Sequence, residues 1–112
     1  MNHADRVELE RAIRAAFPGL VSVRRYDHTT QAVLAEATGA WFSIRHEGSL
    51  MWVEAGYGGP FAHFPERQPN GDPWRAGDAD ALLSHIRAHA EQRAGYLERT
   101  AAGLRAALGG AS

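Results

Sequence analysis

Leu9, Ile13 and Ala16 recur at spacings of four and three, with Val7 and Phe17 flanking the stripe and Glu8, Glu10, Arg11 and Arg14 on the other side. That period places the apolar positions on one face of a helix and predicts one over about His3 to Phe17. Asp5 followed by Glu8 fits a capping box at its start. Pro18-Gly19 ends it, because proline removes an amide donor and clashes with the preceding turn.

The period then changes from helical to alternating. Four strand-like runs follow: Leu20 to Tyr26, Ala32 to Ala37, Trp41 to His46 and Leu50 to Ala55. The segments between them, Asp27 to Gln31, Thr38 to Ala40 and Glu47 to Ser49, are short and polar or glycine-containing. Such connections join antiparallel neighbours, so the four runs read as a meander. Alternation assigns one face to the core: Val21 and Val23, Val33, Ala35 and Ala37, Phe42 and Ile44, Met51 and Val53. The opposite face collects Ser22, Arg24, Tyr26, Glu36, Trp41, Ser43, Arg45, Trp52 and Glu54. A slip of one residue in the first or second strand would exchange its two sets.

Gly56 to Gly77 carries five glycines and four prolines, which rules out a helix or central strand and marks a long irregular loop. Phe61, Phe64 and Trp74 are its anchors. From Asp78 or Asp80 the helical period returns with Leu82, Ile86, His89 or Ala90, Arg93 and Leu97, then Ala101, Leu104 and Leu108. Gly95 marks a point where this helix can bend or stop, and Gly109-Gly110 ends it. The fold expected is α+β: N-terminal helix, four-stranded antiparallel meander, long irregular loop, long C-terminal helix. Residues 1–112 form one domain, a size that buries roughly 65% of the unfolded chain's surface. The core expected is Leu9, Ile13, Phe17, Val21, Val23, Val33, Phe42, Ile44, Val53, Leu82 and Ile86.

Composition changes this picture in three places. With no cysteine there is neither a disulfide nor a thiolate metal site, which leans towards a reducing, cytoplasmic setting. No run approaches the roughly 20 apolar residues of a membrane span. A net charge of −1, from 12 basic and 13 acidic residues, gives no basic surface for a nucleic acid. All the basic residues are arginine, in keeping with a chain also rich in alanine and glycine.

Candidate chemistry is sparse. His85 and His89 are four apart on the predicted helix, a metal-ligand spacing, but the glutamate that follows the first histidine in a zincin is replaced by Ile86. No metal or other cofactor is expected. Gly56-Tyr57-Gly58-Gly59-Pro60 opens onto no helix and has no lysine, so it reads as a turn and not as a phosphate loop. No serine lies in a nucleophile elbow, and Ser84 and His85 point about 100° apart on a helix. The outward strand face holds the residue types that dominate protein-interface hot spots: Tyr26, Trp41 and Trp52 with Arg24 and Arg45. Aromatic residues and arginines on a sheet can also stack nucleic-acid bases, a use the net charge disfavours. A third arrangement has the C-terminal helix or the loop fold over this face as a second core layer. By analogy of size and fold class, the expectation is a non-enzymatic module that binds another protein, of the bacterial or phage inhibitor and immunity type. The alternative is a ligand-binding protein or enzyme with its pocket between the sheet and the 56–77 loop. Fold-level analogy carries both.

Overall fold

The computed structural model describes residues 3–35, 40–48, 50–57, 68 and 70–109. Helix α1 spans His3–Ala16, followed by strands β1 (Ser22–Tyr26), β2 (Thr29–Ala35), β3 (Ala40–Glu47) and β4 (Leu50–Tyr57). A two-residue strand β5 (Trp74–Arg75) and a single 3-10 turn lead into helix α2 (Ala79–Ala107). The sheet order is β1-β2-β3-β4-β5 and every neighbouring pair is antiparallel. The expected α+β meander is therefore present, with one short edge strand added from the stretch read as wholly irregular.

Both helices lie on the same face of the sheet. The core is Leu9, Ile13 and Phe17 from α1 and its end, Ala32, Ala40, Phe42, Ile44, Met51, Val53 and Trp74 from the strands, and Leu82, Leu83 and Ile86 from α2. The register explains which strand residues point inward. Val23, Ala32 and Phe42 are directly opposed across three strands, as are Thr30, Ile44 and Val53, and then His46, Met51 and Trp74. Phe17 and Phe42 meet with ring centroids 5.5 Å apart, which ties the end of α1 to the centre of the sheet.

Four expectations are corrected. In β2 the inward set is Thr30 and Ala32, while Val33 faces the other way opposite Trp41. Helix α1 packs over this strand, and small side chains there admit a close helix. Val21 precedes β1 and is 50% exposed; Leu20 packs against the core in its place, and Val23 is only partly buried. The turn expected over Asp27 to Gln31 is confined to Asp27-His28, since Tyr26 already pairs with Thr29. Asp5 lies in the first turn of α1 and is not its cap.

Helix α2 runs through Gly95 without ending there. It stops where Gly109 takes φ +73, a conformation open to glycine. The Leu108 and Gly109 amides donate to the carbonyls of Leu104 and Ala106. No helix among the described residues is long and apolar enough to cross a membrane.

Candidate functional site

On the sheet face away from the helices, pairing arranges the side chains in parallel rows. One row is Tyr26, Thr29, Arg45 and Trp52; the next is Arg24, Gln31, Ser43 and Glu54; the third is Ser22, Val33 and Trp41. All five residues expected at a binding surface fall on this face. Tyr26, Arg24 and Arg45 are exposed, and Trp41 and Trp52 are half-buried. Glu36, expected beside them, lies outside the described residues.

The rows refine the expected patch. Tyr26, Arg45 and Trp52 share one row, but Trp41 stands four residues from Arg45 along β3, about 14 Å away at strand rise. The two tryptophans therefore flank the Arg24 row from opposite sides. Arg45 is held in place: its guanidinium donates to Glu54 Oε1 at 3.0 Å and its Cζ lies 5.9 Å from the centre of the Trp52 ring. With both ionic partners about half exposed, solvent screens that pair, so it orients Arg45 more than it stabilises the fold.

A second polar group sits on the helix-facing side of the same sheet end. His46 is buried, its ring centre 6.5 Å from that of His28, and its backbone amide donates to the His28 carbonyl at 2.9 Å. Burial, with the positive charge of Arg6 and then His28 behind it, holds the His46 imidazole below its ordinary value of 6.5. Arg6, on α1, donates to the Tyr26 carbonyl. Thr30 Oγ1 and His46 Nε2 are buried and have no hydrogen-bond partner among the described residues. They are thus not bonded to one another, and this diagonal pair is not a base and hydroxyl aligned for covalent chemistry. Beside it, Glu10 accepts from Arg25 Nε at 3.1 Å and Arg14 at 3.4 Å, bridging α1 to β1. Sequence patterning misses this group because His46 falls at the end of a strand-like run and Thr30 in a segment that reads as a turn.

The helical pair comes together as its spacing requires: the His85 and His89 rings lie 5.1 Å apart, with Trp74 against His85 at 5.9 Å. Burial first, then the His85 charge, lowers the His89 value. Among the described residues, no group of three or more histidine, aspartate or glutamate side chains is placed to hold a metal ion. Glu91, two residues beyond His89 on the same helix, lies against Arg87 at 3.6 Å. The glycine-rich segment begins in β4, with Gly56 and Tyr57 paired to Trp41 and Ala40. The rest of it, Phe61, Phe64 and most of the alternative pocket beside the 56–77 loop lie outside the described residues. Compared with protein-family models, with curated proteins and with solved structures, the chain gives no significant match to any of the three.

Proposed function

We propose that the protein is a non-enzymatic binding module that covers and blocks a partner protein with the outer face of its sheet. The observation that supports this reading is the row of Tyr26, Arg45 and Trp52, which with Thr29 between them crosses four strands on the face opposite both helices. Aromatic side chains give large contact areas at low entropic cost, and an arginine held over an indole and against a carboxylate is already oriented for a partner's acidic group. A sheet backed by two helices is stiff, so little ordering is required on docking. In this proposal the protein acts in the cytoplasm of a bacterium, as an inhibitor or immunity-type protein of bacterial or phage origin.

Affinity capture from the source lysate, run in parallel with the wild-type chain and with Trp52→Ala, tests the reading. The proposal expects a discrete protein retained by the wild type and lost by a variant whose circular dichroism is unchanged. Equal capture by both would refute this use of the sheet.

A further inference from the structure

The apolar stripe of α2 outruns the body of the protein. Every α2 residue in the core or packed against it lies between Ala79 and Ala90. Yet the stripe continues on the same side through Ala94, Leu97, Ala101, Leu104 and Leu108. From Ala90 the spacings are four, three, four, three and four, the seam of a two-helix coiled coil. Its far end is uncovered: Leu104 is 61% exposed and Leu108 84%. At the near end, Ala90 and Ala94 line an apolar pocket of about 410 Å³ with Phe17, Pro18, Leu20 and Leu34. One end of the seam is thus knobs without holes and the other a hole without knobs. The separation, 18 residues at helix rise, is about 27 Å.

We propose that two copies of this chain dimerise through α2, antiparallel about a two-fold axis, each placing Leu104 and Leu108 in the alanine-floored pocket of the other. In that register Leu108 of one copy lies against Ala90 of its partner, Leu104 against Ala94, and Leu97 against Ala101. Size is complementary in every layer, large against small. Charge follows at the two ends: Glu91, on the pocket rim, comes beside the exposed Arg105 of the other copy. At the axis the two Glu98 carboxylates face each other, which holds the affinity down. The interface is an isologous one at the low end of specific sizes, about 600 Å² per partner. It leaves the outer sheet face of both copies open, so the dimer would present two copies of the proposed binding surface.

Sedimentation equilibrium of the full chain between about 5 and 200 µM, the range a small interface needs, is the first readout. A monomer–dimer equilibrium is expected, and Leu104→Glu with Leu108→Glu should raise its Kd at least tenfold. Both positions are exposed in the single chain, so circular dichroism should not change. Glu91→Arg should weaken the dimer, and adding Arg105→Glu should restore it. Because the chain lacks cysteine, orientation can be read by crosslinking. Ala90→Cys with Leu108→Cys in one chain, too far apart to join internally, should give a disulfide-linked dimer. Leu104→Cys alone should not. A monomer at every concentration, a dimer indifferent to the leucine changes, or self-linking of Leu104→Cys without the Ala90–Leu108 bond would each overturn the proposal.

Discussion

The two faces of the sheet are made from alternating residues of the same strands, yet they are built for different neighbours. On the helix side Phe42, Ile44, Met51 and Val53 are fully enclosed, and the polar members, Thr30 and His46, are drawn into the same burial. On the other side the side chains are as large, but they end in rings and charges: Trp41, Arg45, Trp52 and Tyr26 stand between Arg24, Gln31 and Glu54. Hydrophobic burial thus fixes the register from one side, and among the described residues the aromatic side chains of the other side stay half-buried or exposed. Under the proposed function, that asymmetry is what distinguishes a sheet with one face for docking from a sheet folded between two layers.

The largest expected effect lies on the helix side. Ile44→Ala should cost about 2–5 kcal/mol in urea unfolding, because Ile44 is fully enclosed and its neighbours close only part of the cavity. A cost under about 1 kcal/mol would mean that the core lies elsewhere. On the outer side, once the partner is in hand, Trp52→Ala should weaken binding by about 2 kcal/mol, the hot-spot scale, at unchanged fold. Titration calorimetry measures it, and an unchanged affinity would remove the row from the interface.

His46 gives a smaller effect with a definite sign. Its folded imidazole resists protonation while the unfolded one takes a proton near 6.5. Above that pH the two states bind the same number of protons at this site. As pH falls below it, the unfolded state binds more, so stability declines until the folded value is also passed. The melting temperature should therefore drop as pH is lowered from about 6.5, and His46→Gln should flatten that part of the profile relative to the wild type. A profile unchanged by the substitution would place the titration elsewhere. The smallest effect belongs to Arg45 and Glu54, where Glu54→Gln should change stability by less than about 1 kcal/mol, the scale of a solvated pair.

The sequence showed the elements more clearly than their sides. In β3 and β4, alternation alone selected the inward residues, because Phe42, Ile44, Met51 and Val53 are wholly apolar while Trp41, Ser43, Arg45, Trp52 and Glu54 between them carry polar or charged groups. In β2 it failed for a physical reason. The strand lies under α1, where the small Ala32 takes the inward position, and Thr30, two residues away and as large as a valine, follows it by strand alternation while Val33 points the other way. The β1–β2 connection misled in another way. A two-residue turn is expected to show glycine or asparagine at positive φ, but Asp27-His28 turns with neither at positive φ, so threonines belonging to the strand were read as loop. The outer surface was legible as a set of residue types. Its division into rows, with Trp41 and Trp52 apart, required the pairing register, which composition does not contain.

Trp41 and Phe42 are sequence neighbours on opposite faces of β3, so comparing them isolates the face from everything else about the position. Equilibrium urea unfolding of Trp41→Ala and Phe42→Ala, each against the wild type, is the most direct test. Phe42→Ala is expected to cost about 3–5 kcal/mol, the range for a buried aromatic residue, and Trp41→Ala no more than half as much, leaving a folded, soluble protein. If Trp41→Ala destabilises as strongly as Phe42→Ala, the outer face is a second core layer and the binding surface proposed on it does not exist.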